Sequence, residues 1–136
     1  MSIPVVGVLI AAVSAFAIGG VWYSPTMFLK PWMKMTGTSD AQMKKNFPVA
    51  MVLMAIGALL TAYILAHFIS YSEQATGTTG VAAGLATAFW AWLGLSLTTV
   101  VAEGALEPRD RMVMVINAGN RLVTLLVMGL ILGLFM

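Results

Sequence analysis

The sequence predicts an all-α membrane protein: a four-transmembrane-helix bundle with a short amphipathic interfacial helix after the first span. Three observations predict it. Of the 136 residues, 60% are hydrophobic and only 9% are charged, against about a quarter charged in an ordinary soluble domain. A soluble fold of this size buries only about two-thirds of its surface, too little to hide that much apolar area. Four stretches, at about 3–23, 48–71, 79–102 and 112–136, reach the roughly 20 apolar residues that a transmembrane helix needs. They are continuously apolar rather than alternating, which excludes barrel strands. Residues 1–136 therefore form a single transmembrane domain.

Composition also removes several chemistries. The chain has no cysteine and one histidine, so no disulfide, thiol nucleophile or multi-histidine metal centre is expected. No cofactor, metal or catalytic constellation is predicted, and the expectation is that the protein is not an enzyme. Seven basic residues are too few for a nucleic-acid surface. The partner that the composition names is the lipid bilayer.

The first span carries Gly7, Ala11, Ala15 and Gly19 at four-residue intervals, a small-residue stripe that lets helices approach closely in lipid. Ala15-Phe16-Ala17 looks like a signal cleavage site, but no Lys or Arg precedes Lys30. A signal peptide needs positive charge ahead of its apolar run, so this helix is expected to be retained.

The first connection, about 25–46, is predicted to be structured. Ser24-Pro25 fits an N-cap with proline at the first helical position. From there Phe28, Trp32 and Met35 share one face and Lys30 and Lys34 the other, an interfacial helix with lysines toward headgroups and aromatics toward acyl chains. Pro31 is expected to bend or shorten it and Gly37 to end it. Ser39-Asp40-Ala41-Gln42 fits a capping box that opens a second segment. Trp22 and Tyr23 mark an aromatic belt at the same interface. The favoured role for this region is anchoring, with a lipid-headgroup or partner site as the sharper alternative.

Several of these residues also carry a resemblance. Trp22-Tyr23-Ser24-Pro25 with Phe28, then Trp32-Met33-Lys34, resembles the domain of unknown function 1761 family. Ile116-Asn117-Ala118-Gly119, the pair Asn120-Arg121 and Leu126-Val127-Met128-Gly129 extend the resemblance to nearly the whole chain. The sequence departs from the family pattern at Pro31 and at Arg121, where histidine is more usual, so no imidazole role is carried over. The resemblance implies a small four-span bacterial inner-membrane protein with no assigned activity.

Orientation follows from the basic residues. Lys30, Lys34, Lys44 and Lys45 lie in the first connection and Arg109 and Arg111 in the third, whereas the second has Glu73 and no basic residue. Six of the seven basic residues thus lie on one side, which the positive-inside rule makes cytoplasmic. The termini are then expected on the periplasmic or extracellular side.

The second span bears His67 on one face with Tyr63 and Tyr71. An interfacial aromatic belt is favoured there over a proton relay or ligand group. On the third span Trp92, Ser96, Thr99 and Glu103 fall on one α-helical face; on the fourth, Asn117, Asn120, Arg121 and Thr124 form a stripe. Such residues normally face the protein interior. An arginine near mid-span costs about 2.5–3.5 kcal/mol on insertion scales. It needs a partner, and Glu103 is the only acidic candidate near the third span. If the fourth helix starts at Arg109 it is roughly 42 Å long, so either it tilts or its first turns lie in the interface. Gly129 and Gly133 fit either a dimer interface or packing within the chain. With Gly119 they lie nearly opposite the polar stripe, which hints at protein contact on two sides.

Two functions compete, with the first favoured and the second as the alternative. Small-residue stripes on every helix favour a structural or accessory membrane protein acting through association with a second copy or a membrane-protein partner. The polar faces of the third and fourth helices favour a small-solute or proton-coupled transporter or channel. Small four-span multidrug exporters carry an acidic residue in the first span and a weak charge bias; this chain has neither. A cavity reaching Arg121 from one side would favour transport, and a dry, filled interior would count against it.

Overall fold

The computed structural model describes residues 3–106 and 111–136. Its elements are α1 (Val5–Trp22), α2 (Leu29–Thr36), α3 (Asp40–Thr76), α4 (Gly80–Ala91), a π-helical segment (Trp92–Leu97), α5 (Thr98–Leu106) and α6 (Arg111–Phe135). The third spanning helix is the composite Gly80–Leu106, so four helices are long and apolar enough to cross a membrane. Arg109 lies outside the described residues.

Local chemistry explains most boundaries. Ser39 closes the expected capping box: Gln42 N donates to Ser39 Oγ at 3.2 Å, and Ser39 N donates to Gln42 Oε1 at 2.9 Å. The helix it opens does not stop before the second span. It continues through Pro48 to Thr76 as one 37-residue helix, about 55 Å long at 1.5 Å per residue. That exceeds a hydrocarbon core of about 30 Å, so its first turns, with exposed Lys44 and Lys45, project beyond the apolar layer. Gly77 caps it in the left-handed conformation at φ +76°, where a residue without a Cβ is favoured. Glu73 Oε1 then accepts from Gly80 N at 3.2 Å and ties down the short turn into α4.

The start of α2 differs from expectation. Ser24 does not cap a helix at Pro25. Its hydroxyl donates back to Val21 O at 2.6 Å, and α2 begins at Leu29 with no side-chain cap. Pro31 falls in the first turn, where its missing N–H is not needed, and the helix runs on to Gly37 as expected.

The core occupies one end of the bundle. Buried residues of α1 cluster at Gly7–Ala12, those of α3 lie at Ala62–Ser70, those of α4 are Ala83, Gly84 and Ala88, and those of α6 concentrate in Leu125–Gly133. Glycine sets the spacing there. A Cβ on Gly84 would overlap the Gly129 carbonyl, and one on Gly129 would overlap the Gly84 carbonyl. One on Gly133 would lie 2.7 Å from Gly80 O. The backbones of α4 and α6 therefore touch, as small-residue packing in lipid allows. Gly7 faces Phe135, which a Cβ there would crowd at 3.0 Å, and Ala11 is fully buried, with Ala15 packed against the same core. Gly19 faces Met54. Gly129 and Gly133 are thus used inside the chain. Gly119 faces Trp22 of α1, so the glycine face of α6 is occupied without a second copy.

At the other end the helices part. The first 21 residues of α3, from Asp40 to Leu60, include none that is buried. Glycines here meet side chains rather than backbone, Gly19 against Met54 and Gly119 against Trp22, and a gap opens among α1, α2, α3 and α6.

Candidate intramembrane binding cavity

The gap is a cavity of about 810 Å³, inside the roughly 300–1,000 Å³ range of small-molecule sites. Asn117, Asn120, Arg121 and Thr124 of α6 line one wall, Ser96 of the π-helical segment adds to it, and Gln42, Asn46 and Thr61 of α3 stand opposite. Tyr23 and Trp32 close a third side. Among the described residues, Arg121 is the only charged one in the lining. It lies ten residues into α6, about 15 Å from the helix start. It is exposed to the cavity and makes no ion pair among the described residues.

The expected partner of Arg121 is elsewhere. Glu103 is exposed and does not line the cavity, and neither does Thr99. The reason is the π-helical segment. An i→i+5 turn accommodates an extra residue and shifts the helix phase after it. The face that an unbroken α-helix would carry through 92, 96, 99 and 103 instead continues through Val100, which is buried, and Gly104, where a Cβ would overlap Met114 of α6. Thr99 turns outward and donates to Leu95 O at 2.9 Å; Thr98 does the same to Gly94 O at 2.8 Å. Ser96, inside the segment, keeps its place in the cavity wall and has no side-chain hydrogen bond among the described residues.

Two indoles hold α6 in position. Trp22 Nε1 donates to Ile116 O at 3.1 Å and Trp92 Nε1 to Ala118 O at 2.9 Å. Between these anchors, Tyr23 Oη donates to Asn117 Oδ1 at 2.6 Å. The Asn120 side chain and the Arg121 charge also lie near the Tyr23 hydroxyl. Thr124 Oγ1 donates to Asn120 Oδ1 at a long 3.4 Å. The polar stripe on α6 is thus ordered by a phenol at the C-cap of α1, while the guanidinium has no ion pair or side-chain hydrogen bond among the described residues.

Trp22 and Tyr23 are tethers between helices here, which corrects the expectation of a lipid-facing belt. The aromatic face of α2 also turns inward. Trp32 meets Tyr23 edge-on, with centroids 6.0 Å apart, and Phe28 lies 4.9 Å from Trp22. Lys30 and Lys34 are exposed on the opposite face as expected. The splayed end of the bundle offers apolar surface, so α2 packs its rings against protein rather than acyl chains. The His67 group is separate from the cavity. Its Nδ1 lies 3.0 Å from Tyr63 O, and its ring is 4.5 Å from Tyr63 and 6.2 Å from Tyr71. Both tyrosines are exposed, so the three form a local surface array on α3.

Sequence reasoning missed Gln42, Asn46 and Thr38 as lining residues. A usable signal was present: Gln42 and Asn46 lie four apart, on one face of a helix.

A family model described as Protein of unknown function (DUF1761) matches residues 6–133. The chain belongs to this family. No curated protein and no solved structure matches it. Membership covers all four spans, so the cavity and the glycine-packed core both fall within the family domain.

Proposed function

We propose that the protein binds a small anionic solute in the cavity beside Arg121, as the solute-handling step of a transporter-type activity in the bacterial inner membrane. The observation that carries this reading is a roomy, hydrogen-bonding cavity in which, among the described residues, the single charge is an arginine with no ion pair. An arginine within a span is costly unless it meets water, a partner or a ligand. Its fork of donors, next to asparagine amides and free hydroxyls, suits a carboxylate or phosphate.

The polar lining stops at Thr61, Ser96 and Thr124, and beyond it lie Met128, Leu132 and the glycine contact. A one-sided vessel fits a carrier better than a continuous channel. Its open end is the lysine-bearing end, which the charge bias assigns to the cytoplasm. No bond is made or broken in this reading. Association with a second copy loses its main motive, since the glycine stripes are occupied by internal packing.

The absence of native cysteine gives a direct test. Thr124→Cys places a thiol one helical turn from Arg121, roughly 6 Å away. A unit charge at that distance in a water-like medium contributes about 0.7 kcal/mol, a few-fold in rate. With each rate divided by the rate for a free small thiol, an anionic methanethiosulfonate should therefore gain severalfold over its cationic analogue. Arg121→Gln should abolish that gain. Equal normalised rates for the two reagents with Arg121 in place would refute anion binding there.

A further inference from the structure

A second depression continues from the cavity. It is an apolar groove of about 310 Å³ between α3 and the π-helical segment, lined by Leu60, Ile64, Phe68, Ala91 and Leu95. Thr61, Ser96 and Leu125 line both spaces, so the two adjoin where the polar wall ends. Leu60, Ile64, Phe68 and Leu95 are all at least two-fifths exposed, which leaves the groove open sideways to lipid. From Leu60 to Phe68 it follows α3 for about 12 Å. The composite site thus has a cationic, amide-lined end and an apolar, laterally open end.

Resting on the anion-binding reading, we infer that the ligand is an anionic amphiphile: a phosphate- or carboxylate-headed lipid whose headgroup sits beside Arg121 and whose chain lies in the groove. Charge complementarity fixes the head, because Arg121 has neither an ion pair nor a side-chain hydrogen bond among the described residues. Continuity fixes the tail, because the groove begins at residues that already line the cavity. The orientation agrees with the bilayer. A head entering from the lysine-bearing end places the chain toward the membrane centre. The π-helical segment supplies both environments from adjacent residues, Leu95 to the groove and Ser96 to both spaces. π-helical turns recur at functional sites for this kind of local re-aiming.

The test is the thermal unfolding midpoint of the full chain in nonionic detergent with dioleoyl phosphatidylglycerol, dioleoyl phosphatidylcholine or glycerol phosphate added. A ligand bound only by the folded state raises the midpoint with concentration. Phosphatidylglycerol should raise it at least twice as much as phosphatidylcholine, and glycerol phosphate should raise it little. Arg121→Gln should erase the difference between the lipids. Leu95→Trp and, from the opposite wall, Leu60→Trp fill the groove from exposed positions and should each remove most of the phosphatidylglycerol shift. Lys44→Gln with Lys45→Gln should leave it intact, because neither lysine lines the site.

Equal shifts from the two lipids would overturn the inference. So would a full shift in both tryptophan variants, a full shift from glycerol phosphate alone, or loss of the preference in the lysine variant. The reagent selectivity at Thr124→Cys separates the two levels. If it persists while the lipids are not distinguished, only the amphiphile fails; if it is absent as well, anion binding fails with it.

Discussion

Helix α6 passes through two environments. From Leu125 to Gly133 it is pressed against α4 so closely that Gly84 and Gly129 have no room for a methyl group. From Ile116 to Thr124 it runs along an open cavity and is held by hydrogen bonds from Trp22, Tyr23 and Trp92. The contrast comes from side-chain size at the contacts. Glycine lets two backbones meet, and dispersion contacts then close one end of the bundle. Indole rings set a larger separation, and their polar tips bond to the helix they hold off. The same helix can therefore be rigidly packed at one end and present a guanidinium to the cavity at the other.

The comparison breaks most directly at the glycines. Gly84→Val forces a side chain into the Gly129 carbonyl and should cost about 3 kcal/mol, the upper part of the overpacking range. The measurement is the midpoint of denaturant unfolding in micelles, and an unchanged midpoint would mean that α4 and α6 are not in backbone contact. Trp92→Phe comes next. It keeps the ring but removes the N–H to Ala118 O and should cost about 1 kcal/mol by the same assay.

Gly20→Ala reverses the sign. No atom outside its own helix and its chain neighbours lies within 4 Å of a Cβ built at Gly20, so the gain in helix propensity, roughly 0.5–1 kcal/mol, should appear as a higher midpoint. A lower midpoint would show that the open end is packed. Glu103→Gln should have the smallest effect, within about 0.5 kcal/mol, as expected of an exposed position. Breaking a buried pair with Arg121 would cost about 3–5 kcal/mol instead.

Features set by local chemistry were legible in the sequence. The four spans follow from apolar length, the helix start at Ser39 from its capping box, and the C-cap at Gly37 from glycine's tolerance of positive φ. The polar stripe on α6 was also readable, because Asn117, Asn120, Arg121 and Thr124 repeat at helical spacing within one unbroken helix. The stripe on the third helix was misread beyond Ser96. Its projection assumed 3.6 residues per turn throughout, and Trp92–Leu97 contains no proline to announce a change of phase. The roles of Tyr23 and Trp22 were hidden for a different reason. Their partners on α6 are 94 residues away in sequence, and a ring at a helix end looks the same whether it faces lipid or protein. The continuity of α3 through Pro48 was hidden too, since proline normally marks a boundary.

One half of α6 lines an open cavity and the other is closely packed, so their access to aqueous reagents should differ. Single cysteines at Asn117, Asn120, Thr124, Met128 and Leu132, labelled in intact vesicles by a membrane-impermeant thiol reagent, test it most directly. The account predicts labelling at 117, 120 and 124 from the lysine-bearing side alone, and none at 128 or 132 from either side. Protection of all five positions, or labelling that continues through 128 and 132, would contradict it.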